Sequence, residues 1–124
     1  MYILVLNQDL QPVLIVEVKD ESWVGKPDFR LRADEQMRGR FELMLYDCPL
    51  PRLRGLSCLG TAVRVYTGDT ETGEVQPPFV STPSPSNRVL PRDFLEGEWS
   101  LDILSQEGFA KMKEIVTDIM QSNA

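Results

Sequence analysis

The chain contains no histidine. Its absence removes the side chain that titrates nearest neutral pH and the commonest nitrogen ligand of zinc. Acid–base or metal chemistry then falls to carboxylates, lysine, tyrosine or cysteine. Cysteine is scarce: Cys48 and Cys58 are the only two, they lack C-x-x-C spacing, and no histidine can join them. That argues against a disulfide framework and for two structural thiols in a reducing compartment. Long apolar runs are missing too. The opening "MYILVLNQD" has no basic flank and turns polar after Leu6, which is too short for a signal peptide or a membrane span. The chain therefore reads as intracellular, cytoplasmic or nuclear, with no membrane segment. Positive charge is in deficit, 13 Lys and Arg against 19 Asp and Glu, for a net −6. This balance argues against general charge-driven nucleic-acid binding, which needs a cationic surface to release counterions, and leaves room only for a local basic patch. No small-molecule cofactor motif is evident.

What is present suits a single domain. At 124 residues, with 42% apolar and 26% charged residues, the chain can bury a core without staples. Tyr2–Asn7 and Val13–Lys19 are runs rich in Val, Ile and Leu, with turn residues between them. They predict a β-hairpin, with Pro12 opening its second strand. Leu14, Val16 and Val18 face one way there, Val13 and Ile15 the other, so both faces are apolar and the strand should be central. Asp28, after Pro27, is expected to N-cap a helix. In that helix Phe29, Ala33, Met37, Phe41, Met44 and Leu45 recur as an apolar stripe, and Asp34–Arg38 and Arg38–Glu42 pair on the outer face. The helix should stop near Tyr46, ahead of Pro49 and Pro51. Strands at about Leu53–Leu59 and Ala62–Thr67 follow. Residues 70–100 read as a long Pro-rich loop, with Phe79, Val89, Leu90, Phe94, Leu95 and Trp99 as pegs that lay it across the body. Within 101–124, Ser105 should cap a last helix whose stripe is Phe109, Met112, Val116, Ile119 and Met120. The order predicts an α/β (α+β) fold: a mixed sheet from two hairpins, joined by a right-handed crossover helix, with a C-terminal helix.

The stretch "PVLIVEVKD" carries the chemistry. Glu17 and Lys19, two apart on a strand, share a face near its C-terminal end, where sites collect in mostly parallel sheets. A carboxylate can hold a hard cation that polarises a phosphate and acidifies water, while a lysine steadies the developing negative charge. A hairpin ending in E-x-K, then a crossover helix and a further strand, resembles the core of the PD-(D/E)xK nuclease superfamily, the restriction-endonuclease-like fold, over residues 2–67. A narrower likeness to a group of fungal domains is carried by "QPVLIVEVKD", "LPRLRGLSCLGTAVRVY" and "RVLPRDFLEGEWSLDIL". The resemblance implies a nuclease-like core over 1–69, Glu17 as a ligand of Mg²⁺ or Mn²⁺, Lys19 as the catalytic lysine, and Gln36 as the crossover-helix glutamine of some branches. It also turns Arg30, Arg38 and Arg40 towards a nucleic-acid backbone. These arginines fall in the window Lys26–Arg54, where seven basic residues face five acidic ones; by itself such a run reads as a solvated helix face.

The chain departs from that family at one essential point. The strand paired with E-x-K should bear an aspartate, and Asp9 is the only acid before Glu17. A loop centred between Asp9 and Leu10 makes Glu17 face Tyr2 and leaves Asp9 on the order of 20 Å away at the far tip. The acid belongs at Met1 or Tyr2, and neither is acidic. The helix that normally precedes the hairpin is not in the sequence. Asp20 points to the other face. The expectation is a degenerate, truncated member acting as a non-catalytic binding or oligomerisation module, with nucleic acid or a second copy (a homo-dimer) as partner. The alternative is a Mg²⁺- or Mn²⁺-dependent nuclease that uses Glu17 and Lys19. The plainer reading makes the two residues a solvated strand end of little energetic weight, and Trp23 and Trp99 packing anchors rather than base-stacking platforms.

Overall fold

The computed structural model describes residues 1–82 and 89–122; the centre of the Pro-rich stretch, 83–88, lies outside them. β1 (Tyr2–Leu6) and β2 (Pro12–Lys19) form an antiparallel hairpin with Tyr2 opposite Glu17 and Ile3 opposite Val16, the register expected from the turn. Asn7 closes that turn, its Oδ1 accepting from the backbone N–H groups of Asp9 and Gln11 at 3.0 and 2.9 Å. β2 runs parallel to β3 (Arg52–Leu59), and β3 antiparallel to β4 (Ala62–Asp69). Two short strands, β5 (Val75–Gln76) and β6 (Leu101–Asp102), pair with opposite ends of β4. The result is a mixed six-stranded sheet in which β2 is central and β1 is an edge.

α1 (Pro27–Met44) crosses from β2 to β3 over one face. Pro27 is its first residue and Lys26 its N-cap, so Asp28 is not the cap. Proline's fixed φ and missing N–H suit the first helical position, which draws the start one residue back. Met37 and Phe41 pack on Val13, Ile15, Leu53 and Tyr66. Gly55 and Gly68 permit the approach, because a Cβ on either would come within 2.8 Å of the Phe41 ring. The Asp34–Arg38 pair forms at 3.0 Å, but Asp34 is buried against the sheet rather than on the outer face. Arg38 then reaches the Pro77 carbonyl at 2.7 Å instead of Glu42. The helix leaves through a 3₁₀ turn over Leu45–Asp47, close to its expected end.

α2 (Gln106–Ser122) covers the opposite face. Ser105 does cap it, its Oγ accepting from Gly108 N–H at 3.0 Å. Its buried stripe is Gly108, Met112, Ile115 and Ile119, so the expected stripe is corrected: Phe109 is 69% and Met120 68% exposed, and Val116 is exposed as well. Ile115 docks among Leu56, Cys58 and Val63, while Asp118 is held by Arg52 and Arg54 at 2.9 and 3.3 Å. Those contacts set the helix rotation, and Val116 turns about 100° away from the sheet.

The segment 70–100 supplies β5 and then lies down through fewer pegs than expected. Phe94, Leu95 and Trp99 are buried beside Ala33 and Leu59, with Leu90 against them. Phe79 and Val89 are exposed and belong to none of the buried clusters, Phe79 meeting the Arg38 guanidinium at the rim of a groove. Trp99 Nε1 donates to Ser57 Oγ at 3.1 Å, which makes it the packing anchor expected. Among the described residues no helix is long and apolar enough to cross a membrane.

Candidate functional site

Alternation along β2 puts Glu17 and Lys19 on the α1 face, continuing the row of Val13 and Ile15. Glu17 is not a solvated strand end: it is 3% exposed. Lys19 Nζ lies 3.7 Å from Glu17 Oε1, and Arg40, from α1, brings its Nη2 to 3.8 Å from the same oxygen. Both distances are ion pairs longer than a hydrogen bond. Tyr2 sits opposite Glu17, with the Arg40 guanidinium 4.0 Å from its ring centroid. Gln36 is one helical turn before Arg40 and so on the same side of α1.

The polar atoms here are under-satisfied. Glu17 Oε2, Tyr2 Oη, Arg40 Nε and Gln36 Oε1 are buried with no protein partner, four of the six such side-chain atoms among the described residues. Each orphan costs about 1–3 kcal/mol unless water or a ligand completes it. Tyr2, Glu17 and Arg40 adjoin one another, so three of these open positions lie together.

The donor set does not fit a divalent ion. Mg²⁺ or Mn²⁺ needs oxygen ligands of net negative charge, and here one carboxylate is already flanked by two cations. Asp9 lies in the hairpin turn. Asp20 caps the 3₁₀ turn Glu21–Gly25 by accepting from Ser22 N–H at 2.9 Å, a bond that lowers its carboxyl below the usual range. Among the described residues no group of three or more acids or thiols converges. The residue facing Glu17 is a tyrosine.

The arginines divide. Arg30 is buried and spent on three carbonyls, those of Phe94, Val24 and Arg92 at 2.9, 2.7 and 2.6 Å. It pins the returning segment and presents nothing to a phosphate. Arg38 is held by Asp34 and Pro77. Of the three, Arg40 alone belongs to the Glu17 site, with its side chain 35% exposed.

A second buried network went unforeseen. Asp34 Oδ1 accepts from Tyr66 Oη at 2.7 Å and from Arg64 Nη1 at 2.8 Å, and both Asp34 oxygens accept from Arg38 Nε at 3.0 Å. It ties α1 to β4. Arg64 inside the apolar "AVRVY" was the visible signal, since a charge on a buried strand requires a partner. Burial and the nearby Asp34 carboxylate push the Tyr66 phenol well above its ordinary value, against a smaller opposing pull from Arg64. Burial also raises both thiols, Cys48 and Cys58, so neither is an activated nucleophile. A surface groove of 620 Å³ lined by residues including Arg38, Phe41, Tyr46, Val75 and Phe79 contains neither Glu17 nor Lys19.

No protein-family model, no curated protein and no solved structure matches this chain.

Proposed function

We propose that the chain is a PD-(D/E)xK-like domain that binds the phosphodiester backbone of a nucleic acid and does not cut it. Support comes from the element order: an antiparallel hairpin whose central strand ends in Glu-Val-Lys, a crossover helix, and a parallel strand beside it. The observation that carries the reading is the isolation of Glu17. With Lys19 and Arg40 beside one carboxylate, the local charge is +1, and the two cations are the partly exposed members. An approaching ligand meets positive charge first. Such a site attracts phosphate and repels a divalent ion.

The second reading, a Mg²⁺- or Mn²⁺-dependent nuclease, is favoured by one feature. Glu17 Oε2 and Gln36 Oε1 are both unpartnered, and both are hard oxygen donors. Two variants separate the readings. Under the binding reading, labelled DNA and RNA stay intact with 5 mM-scale Mn²⁺ (roughly the concentration that saturates weak divalent sites), and Glu17→Gln binds them about three- to tenfold more tightly, because an anion near two cations has been neutralised. Under the nuclease reading, cleavage is seen and Glu17→Ala abolishes it. Divalent-dependent cleavage lost in that variant sinks the binding-only proposal.

The same reading includes self-association through β1. Met1 and Val18 exchange both backbone hydrogen bonds, at 2.8 and 2.7 Å. By alternation Ile3 and Val5 also bond inward, and Tyr2 and Leu4 turn their backbone groups to the open edge. No strand among the described residues pairs with that edge.

A further inference from the structure

The 3₁₀ turn after β2 and the first turn of α1 bring two aromatic rings together. Trp23 and Phe29 stack with centroids 4.8 Å apart and planes 24° from parallel. Trp23 is half-buried, with its inner part against the cluster of Ala33, Leu59, Phe94, Leu95 and Trp99. That packing accounts for Trp23 but not for Phe29, which belongs to none of the core clusters, nor for the charges around the pair.

Three cations gather on these rings. Lys19 Nζ is 5.1 Å from the Trp23 centroid and Lys26 Nζ is 5.2 Å from the Phe29 centroid. The Arg32 guanidinium is 5.9 Å from one ring and 5.7 Å from the other. Among the described residues neither Lys26 nor Arg32 has a carboxylate within ion-pair distance. Of the acids nearest in sequence, Asp20 is bonded to Ser22, Asp34 is taken by Arg38, Arg64 and Tyr66, and Glu21, Asp28 and Glu35 are exposed; their charge tempers the local field without capturing these cations. Lys19 joins this cluster to the Glu17 site, since the same ammonium stands beside the Glu17 carboxylate. Lys19, Arg32 and Lys26 therefore flank a partly exposed aromatic stack that begins where the E-x-K strand ends, while Arg40 stays at the Tyr2 and Glu17 end of the site.

The geometry points to a platform for a single-stranded segment of nucleic acid, with a base stacked on the Phe29–Trp23 pair and its flanking phosphates on Lys26, Arg32 and Lys19. Aromatic faces beside mobile cations are the equipment of sequence-tolerant single-strand binding. The long lysine side chains can leave the rings for the phosphates as a base takes their place, so each cation–π contact is exchanged for a stack and a charge contact. A duplex keeps its base faces stacked internally and offers the rings nothing. This rests on the backbone-binding reading above and specifies its ligand.

The test measures binding of a labelled 12-nucleotide-scale oligo(dT) and oligo(U) (roughly one site size), a duplex of equal length, and polyglutamate as a competitor, by anisotropy at low salt. Tryptophan fluorescence is followed in parallel. The expected result is binding of single strands in preference to duplex, with quenching of the partly exposed Trp23 that Trp23→Phe removes. Phe29→Leu, which keeps apolar bulk but loses the ring, weakens oligo(dT) about tenfold. Arg32→Gln weakens it and lowers the salt slope by about one. Circular dichroism melts confirm that each variant is folded, and Arg32→Gln, an exposed change, serves if Phe29→Leu is not. Equal affinity for duplex, or a folded Phe29→Leu with unchanged affinity, overturns the platform and leaves backbone binding standing, whereas competition by polyglutamate as effective as oligo(dT) shows general anion binding and overturns both. Absence of binding to every nucleic acid overturns both.

Discussion

Asp34 accepts hydrogen bonds from three residues where water does not reach. Arg38, Arg64 and Tyr66 all donate to it, and Arg64 and Tyr66 are buried with it. Removing the carboxylate leaves the buried Arg64 guanidinium, among the described residues, only the more exposed Glu98 carboxylate, 3.8 Å away, as an acidic partner. Asp34→Ala should therefore cost about 3–5 kcal/mol, read as a lower denaturant midpoint. Tyr66→Phe deletes two hydrogen bonds, the one its hydroxyl donates to Asp34 and the one it accepts from Arg64, and should cost about 1–3 kcal/mol. The phenol also sets an alkaline limit. Its acidity is weakened in the folded state, so its contribution is fully present below the ordinary tyrosine value of 10.0. Above that the unfolded chain gives up the proton while the folded chain keeps it, and stability falls with rising pH. Tyr66→Phe should flatten that fall in melts run from pH 8 to 11, on the order of the phenol's titration range. Wild type and variant falling in parallel would show that Tyr66 is not responsible. Glu17 and Lys19 could be paired from sequence because strand alternation fixes their common face. Arg40 could not be told apart from Arg30 and Arg38, since the rotation of α1 over the sheet depends on Gly55, Gly68 and Phe41 interlocking, which no single segment records.

At the scale of elements, helix placement rests on glycine. Gly55 and Gly68 form a flat patch under Phe41, and Gly108 lets α2 start against the backbone of Asp102. Alanine is the better helix former, yet Gly108→Ala should destabilise, because its Cβ would run into the Asp102 carbonyl and backbone cannot yield cheaply. Gly68→Ala should cost about 1–3 kcal/mol by pushing α1 off the sheet. Both are read by urea unfolding; a neutral or stabilising Gly108→Ala would mean the start of α2 has room to shift. Elements with an unambiguous period were legible: the β1–β2 register, the two faces of β2, the reach of α1, and the β3–β4 hairpin. What failed had two competing solutions. Phe109, Val116 and Met120 offer α2 an apolar stripe as good as Met112, Ile115 and Ile119. The choice was made by the Asp118 contacts to Arg52 and Arg54, long-range partners invisible to local periodicity. β5 and β6, two residues each, exist only because β4 offers an open edge. Arg30 read as a surface charge because its three carbonyl partners lie in distant or irregular backbone.

For the whole molecule the unresolved business is the β1 side. Edge strands are normally blunted by lysine, proline or a cover, and β1, Tyr-Ile-Leu-Val-Leu, carries no charge and no proline. Its α1-side residues Tyr2 and Leu4 pack inward. On the other face Ile3 and Val5 are 41% and 39% exposed, because α2 sits over Leu56, Cys58 and Val63, further along the sheet. Under the self-association proposed above, outward backbone donors and acceptors and exposed apolar side chains on the same strand would meet their copies: a two-fold axis would align β1 antiparallel to β1. The net charge of −6 opposes association at long range but is screened beyond about 8–10 Å at ordinary salt, whereas strand pairing acts at about 5 Å. Light scattering should therefore give twice the 14.1 kDa chain mass at micromolar-scale concentration, with dissociation on dilution. Ile3→Lys with Val5→Lys sets like charges against their copies across the two-fold while leaving the inward face of β1 untouched. It should yield a folded monomer with an unchanged far-ultraviolet spectrum. A wild-type chain that stays monomeric throughout, or a double-lysine variant that stays dimeric, removes β1 as the interface, and the exposed flank of α2 with Phe109, Val116 and Met120 becomes the surface to mutate next.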